Sequence, residues 1–282
     1  MNPSLHLSAA LWLACLVAPT VQECRDEYKK IPGHTACKPP NAACTIYKRS
    51  LSKTEREEVL KLHNDLRSKV AKGNLPGFPP AKDMTQLLWD EEIASVAQAL
   101  AEQCTGPGGN LKHDQQAERA TTAFNHTGQN LAWDGSSVSL DAAGPDWKGQ
   151  VNNWFDEYKL LKNNEKSVVN RFSGTAINAG HFTQVVWAKT HYLGCGYVYY
   201  TVTGARYAHM RYYVCNYAEA GNVNQRPVYQ EGDACSACPS GTECVKDTGL
   251  CASPEAANGH CSSGGGIVVT VLAVFIALQQ AQ

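Results

Sequence analysis

No sign of charge dominates the 282-residue sequence: 25 basic side chains stand against 26 acidic ones, a formal net charge of -1. Nucleic-acid binders neutralise phosphates with a basic excess or stripe, so this balance argues against that class. Also absent are an HExxH zinc helix, a GxSxG nucleophile elbow, a P-loop and a GxGxxG turn. No uninterrupted apolar run reaches the roughly 20 residues that span a bilayer, and there is no internal repeat. Core-forming residues, by contrast, are not scarce. A hydrophobic content of 43% with 9% aromatics excludes a mostly disordered chain. The length suffices for one or two domains with a real core.

Cysteine is the residue in excess. There are twelve, with no run of closely spaced Cys/His ligand pairs. That pattern reads as disulfides formed in an oxidising compartment, not as zinc fingers. The N-terminus agrees. Residues 8–17 form an apolar stretch of signal-peptide length, and Ala18 and Thr20 stand at suitable positions for cleavage before Val21. The expected signal peptide is 1–20. Its first residues carry no Lys or Arg, and a membrane anchor is the alternative, which the short run disfavours.

At the other end, 267–278 is a twelve-residue apolar run followed only by 279–282, with no basic cluster. Small residues precede it: Ala256, Ala257, Asn258, Gly259, Ser262, Ser263 and three glycines. A glycosylphosphatidylinositol (GPI) attachment signal fits this order, with 267–282 as the removed tail. Losing Cys15 with the signal peptide leaves eleven cysteines, and attachment at Ala257 or Asn258 would also remove Cys261 and leave ten. The alternative is a short tail that packs or anchors directly.

The mature chain divides into a Cys- and Pro-rich leader (21–50), a main domain (51–226), a Cys-rich hinge (227–251) and a linker (252–266). The hinge is too small to bury a core and is expected to be stapled by two bridges. Its Cys235-x-x-Cys238 spacing could serve redox chemistry or half a zinc site, but the secreted, Cys-rich context favours structural disulfides. In the main domain, Ser52-Lys-Thr-Glu55 is a capping box, and Val59, Leu62, Leu66 and Val70 follow at helical spacing up to Gly73. Asp90 is expected to cap a second helix with the stripe Ile93, Val96, Ala97, Leu100 and Cys104. A third helix is expected around Val151, Trp154, Phe155, Tyr158 and Leu161. The segments 182–187, 195–202 and 207–215 read as strands. Helices first and an antiparallel strand set later give an α+β layered domain.

Two segments carry more than periodicity: GHFTQVVWAKT (180–190) and YYVCNYAEAGNV (212–223). With His63, Asn64 and Arg67 on the first helix, and Gly128-Gln129-Asn130, the sequence resembles the CAP superfamily over roughly 51–223. This superfamily comprises cysteine-rich secretory proteins, antigen-five venom allergens and plant pathogenesis-related proteins. The second segment departs at Glu219, where Pro, Ala, Arg or His is usual. The leader and the PPAKDM stretch look most like the antigen-five branch. The hinge instead resembles that of vertebrate cysteine-rich secretory proteins, and no channel-regulating module follows it.

The resemblance implies a three-layer α-β-α sandwich and the bridges Cys24–Cys37, Cys44–Cys104, Cys195–Cys215, Cys235–Cys244 and Cys238–Cys251, each contributing about 2–4 kcal/mol. The positions of one further antigen-five bridge are held here by Tyr28 and Gln116. It also implies a cleft tetrad of two histidines and two acidic residues, which maps to His113, Gln129, Glu157 and His181. His113 and His181 are the metal-ligand candidates for Zn2+. The amide at Gln129 is no general base and a poor zinc ligand, so a structural polar cleft stands as the alternative. No residue is assigned as catalytic and no cofactor is required.

Trp89, Trp147, Trp154 and Trp187 read as core anchors rather than a carbohydrate platform, and His63 and Arg67 as residues that orient the first helix. Asn125-His-Thr127 is a glycosylation sequon in a polar stretch. The function expected is an extracellular, non-enzymatic, venom-allergen-like scaffold that binds a protein or a lipid, since some relatives bind sterols or fatty acids. It would be secreted or GPI-anchored at the cell surface. The runner-up is a zinc-dependent hydrolase or protease using the His/Glu cleft, and a third reading is a secreted salivary or venom component.

Overall fold

The computed structural model describes residues 24–105, 111–140, 143–205 and 207–254. The expected signal peptide, most of the linker and the apolar tail 267–282 lie outside the described residues. Within them the helices are α1 (Asp26–Lys29), α2 (Lys53–Ala71), α3 (Glu91–Ala101), α4 (Trp147–Asp156), α5 (Glu165–Asn170) and α6 (Gly180–Val185). The strands are β1 (Cys44–Arg49), β2 (Leu88–Trp89), β3 (Gly128–Ser136), β4 (Tyr192–Val202), β5 (His209–Ala218), β6 (Glu243–Val245) and β7 (Leu250–Ala252).

The main helix starts where its capping box dictates. Ser52 Oγ accepts from Glu55 N at 3.3 Å while the Glu55 carboxylate accepts from Ser52 N at 2.6 Å, satisfying two otherwise orphan amides. It ends at Gly73, whose φ of 71° is left-handed backbone that a side chain would resist. Asp90 Oδ1 caps α3 by accepting from Ile93 N at 2.8 Å.

The sheet runs β1-β4-β5-β3, and the short β2 pairs parallel with β4. Strand alternation divides the central strands between two cores. Leu193, Cys195, Tyr197, Tyr199, Tyr213, Cys215 and Tyr217 face a large core shared with Val59 and Val70 of α2, Trp147, Val151, Trp154 and Phe155 of α4, and Phe182 of α6. Val198, Met210, Tyr212 and Val214 face the other way, onto Ala97, Leu100 and Ala101 of α3. Both faces of the sheet are therefore covered, giving an α+β, three-layer α-β-α sandwich. Trp147, Trp154 and Trp187 are buried as core anchors, and Trp89 is half-buried.

Several sequence expectations need correction. Segment 182–187, read as a strand, belongs to α6 and the turn after it. Phe182, Thr183, Gln184 and Val185 are all buried and only Gly180 and His181 reach the surface, so this six-residue helix is too short and too covered for a 3.6-residue period to be read. The third helix stops at Asp156, and Tyr158 and Leu161 sit in a tighter 3-10 turn, Glu157–Leu161. Helices and strands also interleave: β1 comes from the leader and forms an edge of the main sheet, and β3 lies between α3 and α4.

Five disulfides are present: Cys24–Cys37, Cys44–Cys104, Cys195–Cys215, Cys235–Cys244 and Cys238–Cys251. The hinge is docked rather than free. Cys251 N donates to Met84 O and Gln86 N to Cys251 O, both at 2.8 Å, while Leu250 is fully buried in the larger core. Tyr28 stacks on the buried His34 with ring centroids 4.0 Å apart, and its hydroxyl donates to Glu92 Oε1 at 2.6 Å.

Candidate functional site

The four cleft residues come from four segments: the loop carrying His113, β3 (Gln129), the 3-10 turn after α4 (Glu157) and α6 (His181). The structure joins them as two pairs. His181 Nδ1 lies 2.6 Å from Glu157 Oε1, and Glu157 Oε2 accepts from the backbone N–H of His181 at 3.0 Å and of Phe182 at 3.4 Å. Glu157 therefore holds the first turn of α6 and the imidazole together. Because a carboxylate only accepts, Nδ1 carries the proton when the ring is neutral, and Nε2 keeps its lone pair.

The second pair has a layer behind it. Gln129 Nε2 donates to Asp114 Oδ1 and to Asn216 Oδ1, both at 3.0 Å, which turns Gln129 Oε1 toward His113 Nδ1 at 2.7 Å. The amide oxygen can only accept, so His113 also carries its proton on Nδ1 and presents a bare Nε2. Asp114 is held in turn by Arg119 Nη1 at 3.0 Å and by the Thr35 hydroxyl at 2.6 Å, with 2% of its side chain exposed. Partial desolvation lowers the proton affinity of His113 below the ordinary imidazole value, and the charges of Arg119 and His181 act in the same direction.

Beneath the cleft lies a network with no free partner for a ligand. His63 is fully buried, with Nδ1 on Val59 O at 2.8 Å and Nε2 on the Tyr217 hydroxyl at 2.9 Å. Asn130 Nδ2 donates to that hydroxyl and to His181 O, both at 3.2 Å. Burial pushes His63 down to about 4, so it stays neutral. Arg67 is also fully buried and donates to the carbonyls of Thr85, Val185, Trp187, Ala188 and Thr190 and to the Thr85 hydroxyl. It therefore ties α2 to the backbone around 185–190.

These donors fit a cation only in part. Two imidazole lone pairs are available, but Glu157 is spent on His181 and α6, and the Gln129 oxygen is spent on His113. Zinc sites in proteins normally use three or four protein ligands. The one trio of ligand atoms within 4.8 Å among the described residues is Cys235, Cys238 and Cys251, whose sulfurs are all committed to disulfides and offer no thiolate. Sequence reading missed Asp114, Asn216 and Thr35. Asp114 directly follows His113 and Asn216 lies inside the second motif, but only the β3–β5 register, which sets Gln129 opposite Asn216, shows what they do.

Residues 60–217 match the profile of the cysteine-rich secretory protein family, CAP. The chain is 32% identical over 244 residues to Venom allergen 5 of Tityus serrulatus, covering 85% of this chain and 55% of that protein. It is 37% identical over 230 residues to a CRISP/Allergen/PR-1 protein of Trittame loki, covering 80% and 53%. The chain thus spans about half the length of these two relatives. Against Venom allergen 5 of Vespa mandarinia it is 39% identical over 208 residues, covering 70% of this chain and 93% of that one. Among solved structures, NaASP2 with Zn2+ superposes with a TM-score of 0.56 at 30% identity, covering 71% of this chain and 96% of its own. BmVAL-1 gives 0.61 at 27%, covering 74% and 98%. The chain belongs to the cysteine-rich secretory protein (CAP) family.

Proposed function

We propose that this disulfide-braced, venom-allergen-like chain is an extracellular recognition scaffold and not a hydrolase, and that its cleft helps to hold a protein or lipid partner. One observation carries the reading: every carboxylate in or behind the cleft is already engaged. Glu157 accepts from His181 and two backbone amides, Asp114 accepts from Arg119, Gln129 and Thr35, and the fourth position is an amide. A general base must reach a substrate proton or a bound water, and these groups are turned inward. Two bare Nε2 atoms make the cleft a hydrogen-bond acceptor and a weak cation site. That is the support for the zinc-hydrolase alternative, which lacks a third ligand and a base.

The test is hydrolysis of a general peptide library by the secreted protein, with and without added Zn2+, beside a His113→Ala/His181→Ala variant. No turnover in either protein is the expected result. Turnover lost in the variant would establish the hydrolase and overturn the scaffold. A zinc titration by calorimetry, compared at pH 7.5 and 5.5, measures the cation site separately. Native mass spectrometry of the secreted protein reports a retained sterol or fatty acid. The proposal extends to attachment at the cell surface through a GPI anchor, and phosphatidylinositol-specific phospholipase should release the protein from expressing cells. Failure to release it would remove the simple anchor.

A further inference from the structure

An open cavity of about 640 Å³ lies between the loop of residues 116–126 and the stretch 219–223. Its volume falls in the roughly 300–1,000 Å³ range of small-ligand clefts. Both walls are fixed by hydrogen bonds. On one side Thr121 N donates to Phe124 O at 2.8 Å, Phe124 N donates to Thr121 Oγ1 at 3.0 Å, and the Phe124 ring packs 5.5 Å from that of Tyr192. On the other, Gly221 N donates to the buried Gln184 Oε1 at 2.9 Å, and Asn222 bonds to both Thr183 and Gly180 O. The lining mixes apolar surface (Ala123, Phe124, Val223) with polar groups (Gln116, His126, Glu219).

Asn125, the acceptor of the sequon, is exposed and is itself part of this lining. We propose that Asn125 is N-glycosylated and that the first N-acetylglucosamine of the glycan seats in this cavity against residues 219–223. The chemistry matches. The sugar offers an apolar ring face and an acetamide methyl for Phe124, Ala123 and Val223. Its hydroxyls and amide can bond with Gln116, His126 and Glu219. The attachment point lies at the rim, so seating needs no long linker and gains from the high effective concentration of a tethered ligand. The timing also follows. Thr127 is fully buried in the folded chain and its hydroxyl donates to Arg119 O at 3.2 Å, so the enzyme that reads the sequon must act before this loop closes.

The inference rests on the extracellular reading, because the modification occurs on the secretory route, and the experiment separates the two. The full chain is expressed in mannosidase-blocked mammalian cells, and occupancy at Asn125 is read by peptide mass spectrometry. Amide exchange is then followed in protein with the whole glycan, in protein trimmed by endoglycosidase H to one sugar, and in protein stripped by PNGase F. Asn125→Gln is the unglycosylated control. The expected result is that 219–223 exchanges roughly tenfold more slowly in the first two than in the last two, equivalent to about 1.4 kcal/mol of seating. Equal exchange in all four overturns the seat. A secreted chain bare at Asn125 overturns the modification and leaves the extracellular reading intact. A chain that never leaves the cytosol, and is bare for that reason, overturns both.

Discussion

Arg67 is a cation with no carboxylate hydrogen-bonded to it among the described residues, neutralised instead by the dipoles of five backbone carbonyls and one hydroxyl. Removing it would leave the carbonyls of Thr85 and Val185 without a donor, each an uncompensated desolvation, while those of Trp187, Ala188 and Thr190 keep their bonds from Thr190 N and Thr85. Arg67→Met should therefore cost at least about 3 kcal/mol in denaturant unfolding, although the methionine fills similar space. A loss below 1 kcal/mol, on the same scale, would show that water or the backbone takes over its bonds. A second residue-scale expectation concerns Gln129. In Gln129→Glu, Asn216 can turn its unpaired Nδ2 toward the new carboxylate, but Asp114 Oδ1, now 3.0 Å from the amide nitrogen, cannot change sign. The two carboxylates would share a proton, with a folded-state pKa raised above the unfolded value. The variant should be destabilised at pH 7 by roughly 1–3 kcal/mol and recover as pH falls toward 5, the reverse of the parent protein. Calorimetric melting at both pH values reads the sign directly. Gln129 was legible in the sequence as a departure from an acidic position. Its compatibility with Asp114 was not, because that depends on a packing distance that no spacing rule contains.

At the scale of elements, α3 lies so close on β4 that Gly194 and Gly196 have no room for a side chain. A Cβ on either would fall within the backbone of α3, at Ala94 for the first and Gln98 for the second. Gly194→Ala and Gly196→Ala should each lower stability by about 3 kcal/mol or more, since main chain cannot yield as a side chain can. Gly174→Ala, with nothing within 4 Å of its Cβ, should stay within about 0.5 kcal/mol of the parent. Chemical denaturation of the three variants decides whether the helix–sheet contact is as tight as described. This layer explains which elements were readable. The amphipathic α2 and α3 announced themselves through caps and stripes, because one face of each meets solvent. The short α6, buried from Phe182 to Val185, had no such contrast and passed for a strand. β1 was hidden among leader cysteines, since its alternation of half-buried and exposed positions is short and interrupted by a bulge near Tyr47.

For the molecule as a whole, acid is the vulnerable direction. His34, His63 and His191 all bind protons less readily in the folded protein than free imidazole does, burial being the largest cause for each. The unfolded chain therefore takes up more protons as pH falls, and stability declines from about pH 6.5 downward. His63, at about 4, contributes on the order of 3 kcal/mol of that loss between pH 6.5 and 4. Melting temperature measured across this range should fall monotonically, and His63→Gln should flatten the curve at the expense of stability at pH 7. A profile flat from 7 to 4 would contradict the burial of these rings. The docked hinge has a mechanical meaning as well. Tension applied beyond Ala252 reaches the body first at Cys251, where two backbone bonds to Met84 and Gln86 resist it and the bond to Cys238 caps how far the strand can peel. A molecule held by that end would transmit load into the middle of its own chain, at 84–86, and from Thr85 through Arg67 into α2 and the backbone at 185–190.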